Sequence, residues 1–242
     1  MPSSTILQWD EVCDWSFDDG KADVSWFNGA KLNVTENCLD RHIEDGHGDK
    51  PAITWEFDDG SSKTFSYSEV LAEVSSMGNV LREQGVKKGD RVTIVMPMIP
   101  QLMFALLACA RVGAVHSVIF AGFSSDAIAD RIVNCGSDVV MTADAGVRGG
   151  KAVPLKASVD RAIELAEEQG GTVRKCLVTH RAGEGVGKDA PGWVAGRDID
   201  LDEAMRGASG TACEPEIMDA EDPLFILYTS GSTGKPKGVL HT

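Results

Sequence analysis

The residues best suited to chemistry lie near the end of the sequence, in a loop rich in glycine and hydroxyl groups. The apolar run at positions 224–228 predicts a buried strand, and residues 229–238 follow it with three glycines, four hydroxyl side chains and two lysines. Glycine lets backbone N–H groups approach an anion closely, hydroxyl groups offer further donors, and lysine brings positive charge to phosphate. This composition predicts a site for a polyphosphate.

The second half of the loop differs from the Walker phosphate loop. A Walker loop needs a serine or threonine directly after its lysine and then a helix, whereas Pro236 follows Lys235 here. Proline has no N–H to donate and cannot continue that geometry. The sequence therefore indicates another class of nucleotide site, and a flexible glycine–serine connector is the alternative interpretation.

Residues 228–238 resemble the signature loop of the adenylate-forming superfamily, which contains acyl-CoA synthetases, luciferases and peptide-synthetase adenylation domains. In that superfamily the loop holds the β- and γ-phosphates of ATP while a substrate carboxylate attacks the α-phosphate. The resemblance therefore implies that ATP is a substrate. By the same resemblance, the phosphate contacts are Thr229, Ser230, Gly231, Ser232, Thr233, Gly234, Lys235 and Lys237.

Segments near the N-terminus restrict the resemblance to one family within this superfamily. Residues 26–27, 32–34 and 37–42 are similar to the N-terminal block of acetyl-CoA synthetases, which luciferases and most long-chain ligases lack. The resemblance implies that residues 1–50 are the N-terminal extension typical of that family. Residues 51–242 are then expected to be an AMP-binding domain, incomplete because the family's later segments fall beyond them.

A second similar segment, residues 111–124, also resembles acetyl- and propionyl-CoA synthetases. The resemblance implies that the adenine of coenzyme A lies near Phe120, Ala121 and Gly122. The family often has glycine where this chain has Ala121. A plain strand-to-helix turn with Ser124 as the N-cap is the alternative interpretation, and the two are compatible.

The segment at residues 147–151 is basic in an otherwise acidic chain. Arg148 and Lys151 supply positive charge, and Gly149 and Gly150 leave the backbone accessible, which is a combination suited to an anion. By resemblance this loop is the phosphate site for coenzyme A. A solvated turn is the alternative interpretation.

These resemblances together imply an AMP-forming acetate:CoA ligase that works through acetyl-adenylate. Mg²⁺ is expected to bridge the phosphates of ATP, but the sequence identifies neither a metal ligand nor a catalytic side chain. The family's acetate- and adenine-binding segments and its small C-terminal domain fall after residue 242, so these residues alone are expected to be inactive. The alternatives are a propionyl-CoA or other short-chain acyl-CoA synthetase, and a non-catalytic nucleotide-binding remnant.

The elements that must position these segments alternate between strand and helix. Apolar runs at 91–96, 115–119, 139–142 and 175–179 are separated by helical patterns at 101–111, 125–134 and 155–168. Such alternation predicts an α/β domain with a parallel sheet and flanking helices. Residues 180–218 are rich in glycine, alanine and acidic residues and predict a surface excursion with one short helix at 201–205.

Before this alternation the sequence predicts a hairpin and a capped helix. Asp59 and Gly60 can form the tight turn of a β-hairpin over residues 52–65. Ser66 and Glu69 then have capping-box spacing, and an apolar face follows until Gly85. The opening region, residues 9–42, shows no sustained helical or strand period and is expected to pack on the main domain as an extended lead-in.

Composition favours a globular protein that avoids nucleic acid and membranes. Hydrophobic residues make up 43% of the 242 positions, and 23 basic against 37 acidic residues give a net charge of −14. Such a charge disfavours general binding to nucleic acid or anionic membranes. The six cysteines form no Cys-x-x-Cys pair, and the N-terminus lacks a secretory signal pattern. A cytoplasmic protein with small-molecule substrates is expected, and its oligomeric state is not predicted.

Overall fold

The computed structural model describes residues 10–20, 22–57, 59–181, 192–229 and 237–242. The strands are β1 (Glu11–Ser16), β2 (Asp23–Asn28), β3 (Pro51–Glu56), β4 (Ser62–Ser66), β5 (Arg91–Val95), β6 (Val115–Val118), β7 (Val139–Ala143), β8 (Gly146–Arg148), β9 (Lys151–Val153), β10 (Lys175–Thr179), β11 (Asp198–Asp200), β12 (Phe225–Thr229) and β13 (Lys237–His241). The helices are α1 (Arg41–Glu44), α2 (Tyr67–Glu83), α3 (Pro100–Arg111), α4 (Ser125–Cys135), α5 (Leu155–Glu168) and α6 (Leu201–Ala208). A 3₁₀ turn, Asp18–Gly20, and a π-helical turn, Glu36–Asp40, complete the secondary structure of the described chain.

A seven-stranded sheet with the order β11-β10-β7-β5-β6-β12-β13 forms the centre of the fold. Neighbouring strands are parallel except for β12 and β13, which pair antiparallel. Parallel neighbours need crossover connections, and α3, α4 and α5 provide them between β5, β6, β7 and β10. The predicted α/β class with a parallel sheet is confirmed.

Helices cover both faces of the central strands. One apolar cluster joins α2, α3 and α6 to side chains such as Ile94 and Met141, and the other joins α4 and α5 to side chains such as Val95 and Val140. Successive residues of a strand point to opposite faces, so an apolar run without alternation is what a strand covered on both faces requires. This explains why the runs at 91–96 and 139–142 are almost wholly apolar.

The predicted hairpin and capped helix are confirmed. Strands β3 and β4 pair antiparallel, and Gly60 adopts a φ of +80° in the turn between them. Ser66 accepts a hydrogen bond from the Glu69 backbone N–H at 3.2 Å, while the Glu69 carboxylate accepts from the Ser66 N–H at 2.7 Å. Helix α2 ends at Glu83, and Gly85 follows with a φ of +81°.

Two predictions for irregular segments need correction. The opening region contains the β1–β2 hairpin, although its sequence showed no strand period. Both strands are mostly exposed, with Trp15 and Trp26 facing solvent, so no buried face imposes alternation on their sequence. In the excursion after residue 180, the helix α6 is confirmed, but β11 adds an edge strand of three residues, which is too short to leave a pattern.

The N-terminal region packs on the main domain, as expected. The Asn33 side-chain amide donates to the carbonyl oxygens of Ala110 and Glu216, both at 2.9 Å. The guanidinium of Arg111 forms a two-point ion pair with Asp40, at 2.8 and 2.9 Å. Within the described residues, none of the helices combines the length and the apolar content that crossing a bilayer requires.

Candidate functional site

Three segments singled out by sequence follow strands that end at one edge of the sheet. The turn at 120–124 follows β6, the basic segment at 147–151 follows β7, and the phosphate loop follows β12. Because β7, β5, β6 and β12 are parallel neighbours in this order, their carboxyl ends lie side by side. Ligands of open α/β sheets bind at this edge. Three strand spacings of about 4.8 Å separate β7 from β12, so the carboxyl ends of these two strands are about 14 Å apart.

The phosphate loop connects two antiparallel strands. Thr229 ends β12 and is the register partner of Lys237, which begins β13, so both exposed residues stand at the base of the loop. Lys237 is therefore a strand residue. Six other predicted phosphate contacts lie outside the described residues: Ser230, Gly231, Ser232, Thr233, Gly234 and Lys235. Strands therefore flank this segment on both sides, whereas a helix follows the phosphate loop of a Walker site, as the Lys-Pro sequence indicated.

Tyr228 anchors the strand that leads into this loop. Its hydroxyl group donates to the side-chain oxygen of Asn134 on α4 at 2.8 Å. Burial raises the pKa of Tyr228 to about 12, so the phenol stays protonated at neutral pH. Gly238 lies opposite on β13, where a Cβ would approach the Tyr228 ring and Ile226 to 3.2 Å. The glycine thus lets β13 lie close against the tyrosine.

The turn after β6 presents an aromatic surface. Phe120 is 70% exposed, and its ring meets that of Phe123 edge-on with centroids 5.7 Å apart. A Cβ on Gly122 would lie 2.5 Å from the Phe120 ring, so a larger residue there would displace the phenylalanine. Ala121 packs its methyl group against the apolar cluster below the turn. Ser124 caps α4 by accepting from the Ala127 N–H at 3.3 Å, as the alternative interpretation expected.

The basic segment after β7 is a tight hairpin. Arg148 pairs with Lys151, and Gly149 and Gly150 form the turn between β8 and β9 with φ angles of +57° and +74°. Two consecutive positive φ angles favour glycine at both positions. A Cβ on either glycine would meet nothing within 4 Å. The two backbone units of the turn are therefore open to a ligand, and Lys151 beside them is exposed.

Sequence reasoning missed a cluster of His180, Asp200 and Asp202 at the ends of β10 and β11, whose ligand atoms lie within 4.8 Å of one another. Asp202 accepts from the Thr179 hydroxyl group and the His180 N–H, both at 2.7 Å. Asp200 accepts from the Glu203 N–H at 2.8 Å and lies 2.9 Å from His180 Nε2. Each of the four carboxylate oxygens thus has one hydrogen-bond partner. Four strand spacings, about 19 Å, separate β10 from β12, so the cluster is remote from the strand that leads into the phosphate loop.

Comparison with known proteins identifies the family of the chain. Residues 39–242 match the family model described as AMP-binding enzyme, and residues 6–38 match the model described as acetyl-coenzyme A synthetase N-terminus. The chain therefore belongs to the AMP-binding enzyme family. This membership confirms the resemblance to the adenylate-forming enzymes.

Curated relatives match almost the whole chain. It is 52% identical over 235 residues to an acetyl-coenzyme A synthetase of Alcanivorax borkumensis, which covers 97% of this chain and 34% of that protein. It is 54% identical over 225 residues to one of Rhizobium meliloti, covering 93% of this chain and 34% of the relative. The chain thus spans about a third of the length of the curated relatives it matches.

Proposed function

We propose that this chain is part of an AMP-forming acetate:CoA ligase, with ATP, acetate and coenzyme A as substrates. The observation that carries the proposal is that the three strands preceding the ligand-suited segments all end at one edge of the sheet. The curated relatives carry the name acetyl-coenzyme A synthetase, which supports acetate as the acid. Because the chain spans a third of their length, we propose that other segments of the protein supply the acetate and adenine pockets.

The proposed chemistry has two steps. A carboxylate oxygen of acetate attacks the α-phosphorus of ATP, and the bond to the β-phosphate oxygen breaks, so pyrophosphate leaves with the electron pair. The coenzyme A thiolate then attacks the carbonyl carbon of acetyl-adenylate, and AMP leaves with its oxygen. Both steps depend mainly on alignment and on neutralising phosphate charge.

Each segment has a role in this scheme. Residues 229–237 hold the β- and γ-phosphates of ATP, where lysine charge stabilises the departing pyrophosphate. The exposed Phe120 ring offers a flat apolar face to the adenine of coenzyme A. The hairpin turn at Gly149 and Gly150, with Arg148 and Lys151 on either side, binds the phosphates of coenzyme A.

The described residues do not account for a Mg²⁺ site. Their only group of three potential ligands is the His180, Asp200 and Asp202 cluster, which is too far from β12 and already hydrogen-bonded. We therefore derive no step through the metal and assign no catalytic acid or base. The described cysteines are all free thiols, which supports the proposal of a cytoplasmic location.

The proposal is tested by ATP–pyrophosphate exchange with the full-length protein that contains these residues. Exchange reports the first step alone, and we expect it to depend on the added acid. Acetate should give the highest kcat/KM, with propionate next and longer acids lower. A higher kcat/KM with propionate would make propionate, in place of acetate, the proposed acid substrate. No exchange with any short acid would contradict the ligase proposal.

Variants in two loops should separate the two steps. Lys235→Ala removes a charge-assisted phosphate contact worth about 1.5–3 kcal/mol, so exchange should fall roughly 10- to 150-fold, and supplied acetyl-adenylate should bypass the defect. Arg148→Ala should raise the KM for coenzyme A and leave exchange unchanged. Arg161→Ala, an exposed arginine on α5, is the matched control. Equal losses in both steps from either loop variant would contradict the assignment.

A further inference from the structure

A buried arginine connects the turn after β6 to the strand before the phosphate loop. Arg131 lies on α4 and is only 8% exposed. Its guanidinium carbon lies 4.7 Å from the centroid of the Phe123 ring and 5.2 Å from that of Tyr228. The guanidinium is therefore in contact with one aromatic ring from each segment.

The surroundings of this cation are unusual for a structural arginine. Nη1 donates to the Ala127 carbonyl oxygen at 2.6 Å, and none of the carboxylates in the described ranges forms an ion pair with Arg131. Burying a charge without a counter-charge is costly, and an aliphatic side chain could fill the same space without that cost. The stabilisation that remains comes from the two ring faces. The position is thus suited to a planar cation that contacts both rings.

Helix α4 carries a second connection between the same segments. It begins directly after Phe123 with Ser124 as its cap, and three residues beyond Arg131 it presents Asn134 to the Tyr228 hydroxyl group at 2.8 Å. Tyr228 immediately precedes Thr229, the first residue of the predicted phosphate contacts. A shift of Phe123 is therefore transmitted to β12 through helix α4 and the side chain of Asn134.

We propose that Arg131 is a positioning residue that sets the turn after β6 and the strand β12, which leads into the phosphate loop, relative to each other. It acts through its contacts with Phe123 and Tyr228. The inference rests on the proposed function, because the two segments are assigned to the two half-reactions there. Its particular consequence is that a single side chain outside both segments affects both steps.

The test uses the full-length protein and measures the half-reactions separately. Arg131→Met keeps the length and removes the cation, and we expect it to lower exchange kcat/KM for ATP and raise the KM for coenzyme A, each about tenfold, from the loss of the ring contacts. Arg131→Lys keeps the positive charge but loses the planar guanidinium group. Its values for both kinetic parameters should lie between those of Arg131→Met and the wild type. Phe123→Leu removes one ring and should mainly raise the KM for coenzyme A, with a smaller effect on exchange that is transmitted through Arg131.

The combined Arg131→Met, Phe123→Leu variant should raise the KM for coenzyme A by less than the product of the single effects, because both changes remove one contact. Arg161→Met on α5 is the matched control and should match wild type. Native folding is checked by near-UV circular dichroism, and if Arg131→Met fails to fold, Arg131→Lys and its double variant with Phe123→Leu replace it.

Three results would overturn the inference. In a folded Arg131→Met or Arg131→Lys variant, wild-type values for both steps would remove the positioning role. A defect confined to one step would show that Arg131 supports one segment only and does not couple the two half-reactions. Wild-type protein without any acid-dependent exchange would overturn the proposed function and this inference with it. If the wild type is active and the Arg131 variants match it in both steps, only the inference is overturned.

Discussion

Substitution of Asp40 tests what holds the N-terminal region on the main domain. Arg111 is 4% exposed, and its guanidinium forms two hydrogen bonds with Asp40, at 2.8 and 2.9 Å. It also donates to the Thr35 hydroxyl group at 3.1 Å and to the Cys213 carbonyl oxygen. The arginine thus joins the π-helical turn near Asp40, helix α3 and the segment near residue 213.

Removing the carboxylate should lower the free energy of unfolding, because the Arg111 guanidinium remains buried without its counter-charge. Asp40→Ala leaves a buried guanidinium with neutral acceptors only, and the loss of one partner of a buried ion pair typically destabilises by about 3–5 kcal/mol. For a chain of this size, each kcal/mol lowers the melting temperature by about 2–4 °C. The expected decrease is therefore about 6–20 °C.

Urea and thermal unfolding of the 242-residue chain, followed by tryptophan fluorescence at pH 7.5, measure this loss. The control is Glu164→Ala, which removes one side of an ion pair whose side chains are 51% and 60% exposed, and which should cost less than about 0.5 kcal/mol. The double variant Asp40→Ala, Arg111→Met should be less destabilised than the sum of its single variants. A loss for Asp40→Ala as small as that of the control would refute the reasoning.

The remaining predictions concern titration and thiol reactivity. Burial lowers the pKa of His116 to about 4, against about 6.5 in the unfolded chain, so protonation opposes folding as the pH falls between these values. Between pH 7.5 and 4.5 the wild type should lose roughly 2–3 kcal/mol more stability than His116→Phe in urea titrations, and equal losses would contradict this account. Burial also raises the pKa of Cys109 and Cys176 to about 12, whereas Cys38 is exposed. Iodoacetamide should therefore modify Cys38 before unfolding and these two only after it, and mass spectrometry showing either one labelled at the rate of Cys38 in the native protein would be evidence against their burial.

Local patterns were enough to predict most elements of the main domain. The helix predicted at 155–168 has these bounds as α5, and the capping box at Ser66 and Glu69 begins α2 as predicted. These signals lie within a few residues of one another, so the sequence carries them without knowledge of the fold. The β1–β2 hairpin escaped prediction because no buried face imposes a period on it, and β11 escaped because three residues are too few to show a period.

The candidate site was predicted as separate segments, and only the tertiary structure brings the strands that precede them to one edge. Strand order decides that the ends of β6, β7 and β12 lie within three strand spacings of one another, and no local pattern specifies that order. Contacts between distant residues were equally hidden: Tyr228 reaches Asn134 across 94 positions, and Arg111 reaches Asp40 across 71. The sequence by itself determined which segments suit phosphate and aromatic ligands, because glycine, lysine and phenylalanine carry that chemistry wherever they lie. Their relative placement, and the burial of Arg131 between two rings, came from packing the helices on the sheet.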